Sequence, residues 1–267
     1  MSTLNIMARR DIQGSRTIVT GASSGIGRAI ALELARQGGK VVCLARREDR
    51  LQALASEIES LHGSVACVAG DVTDAAARSR CLEAAQSHFG GLDILVNNAG
   101  GGAIGPFETA DPQRVRRLME VNFFALVEMT RAALPLLKQG RRPMIVNVSS
   151  ILGRRGVPYN SEYAASKFAV HGFSESIRAE FATAGIDVLV VSPGTTDTEF
   201  FDQVLESKGG PKWPEHKAVT AETVARATVR AIRRGSHEIT PYLWGKVLVL
   251  LNRISPWFVD KLMARYA

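Results

Sequence analysis

Seven short runs of apolar and β-branched residues punctuate this chain of 267 residues, and longer stretches of helical periodicity separate them. The runs are RTIVT (16–20), KVVCLA (40–45), SVACVA (64–69), LDILVN (92–97), MIVNVS (144–149), IDVLVV (186–191) and HEIT (237–240). The helical patterns lie near 26–37, 48–62, 74–89, 112–138, 161–184 and 220–234. Strands apolar on both faces and separated by helices predict an α/β fold, a parallel sheet of seven strands with helices on both faces. Right-handed crossovers make the sheet doubly wound, and ligands then bind beyond the carboxyl ends of its strands. No linker, low-complexity tract or repeat divides the chain, so one domain is expected over 1–267.

The net charge of +7 comes from scattered pairs, Arg46–Arg47, Arg141–Arg142, Arg154–Arg155 and Arg233–Arg234, with no basic run and no recognition motif. That pattern gives nucleic-acid binding little support and suits attraction of phosphorylated small molecules. Cys43, Cys67 and Cys81 have no metal-ligand spacing. Cys43 and Cys67 lie in strand-like runs and read as buried structural thiols, in keeping with a reducing cytoplasm. The stretch MSTLNIMARRDIQG has no signal-peptide core, and no apolar run approaches the roughly 20 residues of a membrane span.

The first strand runs into TGASSGIGRAI. Gly21, Gly25 and Gly27 crowd this turn, where a missing Cβ permits positive φ and close approach of a pyrophosphate. The helix that follows offers free N–H groups to that anion, so Gly21, Ser23, Ser24, Gly25, Ile26 and Gly27 form a candidate dinucleotide cradle. No Gly-Lys-Ser/Thr follows, which excludes a P-loop. Strand two ends in LARRED, with Ala45 where an acid would hold a free ribose 2′-hydroxyl and with Arg46 and Arg47 next. Guanidinium groups attract a 2′-phosphate, so this site reads as NADP(H) in preference to NAD(H).

Tyrosine precedes lysine by four residues twice, in YAASK (163–167) and in YLWGK (242–246). On a helix such a pair shares a face, and an ammonium beside a phenol lowers its pKa toward useful acid–base chemistry. Context separates the two. Thirteen residues before Tyr163 stands Ser150, at the end of a strand; thirteen before Tyr242 stands Val229, in a helical stretch. YLWGK follows Pro241, contains Gly245 and lies beyond the last strand, so it reads as incidental.

With TGASSGIG, GDV (70–72), NNAG (97–100), the asparagine of EVNFF, SS (149–150), YAASK and SPG (192–194) in this order, the chain resembles the short-chain dehydrogenase/reductase family, in its single-domain branch, over about 14–240. The resemblance implies a Rossmann-type fold and a metal-free carbonyl–alcohol oxidoreduction with a nicotinamide cofactor. It makes Tyr163 the proton donor, Lys167 the group that lowers the tyrosine pKa and holds the nicotinamide ribose, and Ser150 the partner of the substrate oxygen. Asn122 would position a water that relays protons to Lys167. Asp71 and Val72 would line the adenine site, and Asn97, Asn98, Ala99 and Gly100 would support the cofactor and the central sheet. Pro193, Gly194, Thr195 and Thr198 would border the nicotinamide carboxamide, and about 195–218 would cover the substrate. The family implies a homodimer or homotetramer built through the helices near 112–138 and 161–184.

Substrate identity is less legible. Phe200, Phe201 and Trp213 read as an apolar wall or as ordinary core, and Arg154 and Arg155 as partners of an anionic substrate tail or as solvated surface. Residues 241–267 extend past the shortest family members, with Ser255 and Pro256 placed to start a helix. This apolar and basic extension has three readings: packing on the core or a partner subunit, roofing the substrate site, or lying on a membrane surface. The leading function is an NADP(H)-dependent carbonyl reductase or alcohol dehydrogenase for an apolar or lipid-like substrate. A 3-oxoacyl thioester reductase is the alternative within enzymes, and a non-catalytic dinucleotide-binding regulator the alternative outside them.

Overall fold

The computed structural model describes residues 10–199 and 218–266. Seven parallel strands form the central sheet: β1 (Arg16–Thr20), β2 (Lys40–Ala45), β3 (Ser64–Ala69), β4 (Ile94–Asn97), β5 (Met144–Val148), β6 (Asp187–Val191) and, after a small parallel pair β7 (Thr196–Asp197) and β8 (Val219–Thr220), β9 (Glu238–Ile239). Their order is β3-β2-β1-β4-β5-β6-β9. The chain steps outward from β1 to β3, then returns to the far side of β1 with β4. That reversal opens a crevice at the carboxyl ends of β1 and β4, where doubly wound sheets bind ligands.

Apolar residues on both faces of the strands create two layers. One buries Val19, Val41, Val96 and Val146 under α1 (Gly25–Arg36), α2 (Glu48–Ser60) and α7 (Ala221–Arg234). The other buries Ile18, Val42, Leu95 and Ile145 under α3 (Ala75–Phe89), α5 (Ala125–Leu137) and α6 (Ser161–Glu180). Cys43, on a strand flanked on both sides, is buried, but Cys67 is exposed. The reading of Cys67 as a buried thiol fails because β3 is an edge strand whose outer residues meet solvent.

The predicted helix over 112–138 is α4 (Arg114–Met119) and α5, joined by one π-helical turn at Glu120–Phe124. Sequence periodicity cannot register a single inserted backbone residue, yet this turn carries Asn122, and such turns recur at functional sites. Past β9 the chain forms α8 (Leu243–Ile254) and α9 (Pro256–Met263), with Pro256 at the start of α9 as expected. Ser255 makes no side-chain cap there.

Candidate active site

The loop after β4 is stitched to the loop after β1. Thr20 Oγ1 accepts from the amides of Asn98 and Ala99, each at 3.0 Å, and Asn98 Nδ2 donates to the carbonyls of Thr20 and Gly21. Gly21 has φ +67°, and a Cβ there would lie 2.8 Å from Ala99 Cα. A Cβ on Gly27 would lie 2.3 Å from Asn98 Nδ2, so this glycine seats α1 against the turn and does not line the cavity. Ser24 precedes α1 without a side-chain cap, and Gly25 and Ile26 of its first turn face the cavity. A dinucleotide pyrophosphate fits this cradle: the backbone is bare, and a helix N-terminus points into it.

Arg47 turns onto the glycine loop. Its guanidinium donates to Ser24 Oγ at 2.6 Å and to Ser23 Oγ at 3.3 Å, and pairs with Glu199 at 3.1 Å. Arg50 reaches the same carboxylate at 3.3 Å. Glu199 is held below the usual carboxylate range by the Arg47 hydrogen bond and the Arg50 charge. Sequence reading did not single out Glu199; 152 residues separate it from Arg47, and only the fold brings the charges together. The Arg46 side chain is largely exposed, 3.9 Å from Asp71. Asp71 Oδ1 accepts from the amide and hydroxyl of Thr73, shaping the loop that carries Val72 into the cavity.

The candidate catalytic groups converge at the ends of β4 and β5. Ser150 follows β5, accepts at Oγ from the Leu152 amide at 3.1 Å, and is hydrogen-bonded to the Tyr163 hydroxyl. Ser149 is occupied elsewhere, donating to the Lys167 carbonyl. Tyr163 and Lys167 share the inner face of α6, with Lys167 Nζ 5.8 Å from the tyrosine ring centre and donating to Val148 O at 3.1 Å. Asn122 lies behind them and does not line the cavity. Its carboxamide clasps Gly101, accepting from the amide at 2.8 Å and donating to the carbonyl at 3.0 Å, and it donates to Ser166 Oγ at 2.9 Å. A Cβ on Gly100 would lie 2.9 Å from Asn122 Oδ1 and 3.6 Å from Lys167 Nζ, so all three meet at one point. Asn97 ties the sheet to α5 through Thr130 and to β5 through Asn147, both at 2.9 Å.

The electrostatics depart from the expectation that the ammonium would depress the tyrosine pKa. Burial pushes Tyr163 up to about 12, opposed by the Ser150 hydrogen bond, and burial pulls Lys167 down to about 8. Both groups are enclosed, and a low-dielectric site disfavours the charged form of each. The phenol is therefore protonated at neutral pH and suited to donate.

Sequence reading also missed a buried ion pair beside the tyrosine. Arg114, at the start of α4, donates to both carboxylate oxygens of Glu162 at 2.8 Å, and both side chains are buried. It fixes the first turn of α6, and hence Tyr163, against α4. Such a pair is costly to break because either partner alone is an uncompensated buried charge.

One cavity of about 1420 Å³ joins these parts. It is lined by Gly21, Ser23, Ser24, Gly25, Ile26, Arg46, Arg47, Asp71 and Val72 on one side. Asn98, Ala99, Gly100, Ser150, Tyr163, Lys167, Pro193, Gly194, Thr195 and Thr198 lie on the other. Its far wall is the C-terminal extension, which contributes Tyr242, Leu248, Leu262 and Met263, so these residues roof the site. A Cβ on Gly194 would lie 2.1 Å from the Tyr242 ring, and one on Gly245 would lie 2.7 Å from Ile151. YLWGK is thus a wall element, and within its helix position 245 has no room for a side chain beside Ile151. Arg154 pairs with Glu175 and Glu238, each at 2.8 Å, and Arg155 bonds Asn252 and Asp260 at 3.0 and 2.6 Å; neither arginine lines the cavity. Phe200, Phe201, Trp213 and most of the expected cover over 195–218 lie outside the described residues.

A sequence model described as short chain dehydrogenase matches residues 15–209. The Hydroxysteroid 11-beta-dehydrogenase 1-like protein A of Xenopus laevis is 35% identical over 97% of this chain and 89% of that protein. Two solved structures share the fold. A short chain dehydrogenase/reductase from Burkholderia phymatum in complex with NAD gives a TM-score of 0.83 at 25% identity, covering 92% of this chain and 95% of that one. A short chain dehydrogenase from Burkholderia cenocepacia in complex with NADP gives 0.77 at 30% identity, covering 86% and 97%.

Proposed function

The chain belongs to the short-chain dehydrogenase/reductase family, and we propose that it interconverts a carbonyl compound and a secondary alcohol, with NADP(H) preferred and an apolar, lipid-like substrate. The observation that carries this reading is the Tyr163 hydroxyl, hydrogen-bonded to Ser150 beside Lys167 in one cavity with the bare glycine turn. A nicotinamide held in that cavity would supply or accept the hydride.

In the reducing direction Tyr163 gives its proton to the developing alkoxide, and Ser150 holds the same oxygen. Lys167 stabilises the phenolate left behind and would hold the nicotinamide ribose. Asn122 is a positioning residue: both its N–H groups are engaged, and through Gly101 it fixes the glycine stretch beside Lys167. The preference for NADP(H) rests on Arg47, whose guanidinium already holds an anion, Glu199, at the glycine loop. A ribose 2′-phosphate would take that carboxylate's place. The apolar substrate rests on Leu248, Leu262 and Met263 in the cavity wall. The thioester alternative relied on Arg154 and Arg155, which are engaged in ion pairs away from the cavity. A non-catalytic regulator would not need Ser150, Tyr163 and Lys167 in one place. Phe124 and Phe168, exposed beside and on the helices α5 and α6, support assembly into a homodimer or homotetramer.

A carbonyl-compound screen followed by NADPH oxidation tests the reaction. In the same assay Arg46→Ala with Arg47→Ala should weaken NADPH roughly 10- to 100-fold while leaving NADH within about twofold, since a charge-assisted bidentate contact is lost only for the phosphate. Glu199→Gln should tighten NADPH a few-fold by removing the competing anion. Equal losses for both cofactors would contradict the 2′-phosphate role.

A further inference from the structure

The extension that walls the cavity turns a second apolar surface outward. Leu243, Trp244, Leu250, Ile254, Trp257 and Phe258 are each more than half exposed among the described residues, reaching 72% at Ile254. On α8 the spacing 243, 247, 250 and 254 puts this surface along one stripe, and Trp257 and Phe258 continue it at the start of α9. Around it stand the exposed cations Lys246, Arg253, Lys261 and Arg265. Asp260 is the single acid between 241 and 266, and it is paired with Arg155 at 2.6 Å. Lys261 Nζ lies 4.0 Å from the centre of the Trp257 ring, so cation and aromatic share one edge.

The surface is firmly mounted. Arg155 bonds α8 at Asn252 and α9 at Asp260, Tyr242 packs on Gly194, and Gly245 packs on Ile151. It is also continuous with the cavity: Trp244, Val247 and Leu251 are exposed and line the cavity as well. A body with a net charge of +7 presents an apolar face, two tryptophans and a cationic rim on one side. That combination is complementary to an anionic lipid surface, where tryptophan and cationic side chains sit at the headgroup level. It is poorly complementary to itself, because a twofold contact would bring two cationic rims into one interface whose only acid, Asp260, is already paired with Arg155, and would cover the Trp244–Val247–Leu251 rim. No helix among the described residues is long and apolar enough to cross a membrane, so the contact would be interfacial.

We infer that the α8–α9 face docks on an anionic lipid surface, with the cavity mouth at that contact, so that a carbonyl compound dissolved in the lipid reaches Tyr163 without crossing water. The delivery step rests on the function proposed above; the docking itself does not, and it is tested without turnover. The full chain is mixed with vesicles of phosphatidylcholine alone or with added phosphatidylglycerol, and bound protein is recovered by flotation. Binding is expected on the anionic vesicles, weakened by salt, with a blue shift of tryptophan emission. Ile254→Ser with Trp257→Ser should lower partitioning by roughly tenfold or more, since apolar burial and charge are additive in such contacts. Neither residue lines the cavity, so turnover of a water-soluble carbonyl should stay unchanged, which also checks folding. Lys261→Glu with Arg265→Glu should abolish the preference for anionic vesicles. Failure of the wild-type chain to float, equal flotation of the serine variant, or a serine variant that instead drops to a smaller assembly in light scattering would each overturn the proposal. Loss of carbonyl turnover in the wild-type chain, with flotation intact, would refute the proposed reaction and leave the docking standing.

Discussion

The chain spells Tyr-x-x-x-Lys twice, and the two copies meet the same cavity in different ways. Tyr163 and Tyr242 are equally sheltered, 9% exposed each. Their lysines are not: Lys167 is buried against Val148 and Gly100, whereas Lys246 is exposed. One further turn along, His171 is buried in the first stripe, whereas Leu250 is 57% exposed in the second. The helix α6 lays the whole stripe 163, 167, 171 against the sheet, while α8 begins at the cavity wall and then runs out over the surface. Spacing puts two side chains on one face of a helix; which neighbour that face meets decides whether the pair is chemistry or wall.

The largest expected difference comes from matched lysine changes. Lys167→Met should cut carbonyl reduction by roughly a hundred- to ten-thousand-fold, the range for loss of a group that assists proton transfer. Lys246→Met should leave it within about twofold. Similar effects at the two positions, in steady-state assays with saturating cofactor, would erase the distinction.

The next difference is in stability. Burial, with the nearby Arg154 charge, pulls His171 down to about 4. Below its unfolded value of about 6.5, the unfolded chain takes up a proton that the folded chain refuses until about pH 4, so stability is lost as pH falls across that interval. The loss should be on the order of 3 kcal/mol, read as a falling thermal midpoint. Asp93 and Glu162 have lowered pKa values and add to the loss only in the carboxylate range. His171→Asn should flatten the curve between pH 6.5 and the carboxylates; Leu250→Asn, at the corresponding place in the second stretch, should leave its slope unchanged. A wild-type midpoint that is flat over this interval would contradict the buried neutral histidine.

Much of this was legible in the sequence because local rules agreed with the fold. The runs at 16–20, 40–45 and 64–69 are β1, β2 and β3 at the same bounds, since apolar strands in a parallel sheet are continuous and ended by turn residues. The order of glycine turn, serine, tyrosine and lysine also carried through, because each stands at a carboxyl edge or on the following helix. What stayed hidden depends on distant partners. The π turn at Asn122 differs from a helix by one residue of register. The pairs Arg114–Glu162 and Arg47–Glu199 join segments 48 and 152 residues apart. The exposure of Cys67 follows from strand order, and the reversal of the tyrosine shift from how completely the site is enclosed.

The central claim, that Tyr163 and not Tyr242 moves the proton, is tested most directly by replacing each with phenylalanine and measuring turnover beside NADPH affinity. Tyr163→Phe should abolish measurable reduction while NADPH binding stays within a few-fold, and Tyr242→Phe, which keeps the ring packed on Gly194, should retain near-normal turnover. Persistent turnover in Tyr163→Phe, or its collapse in Tyr242→Phe, would contradict that claim.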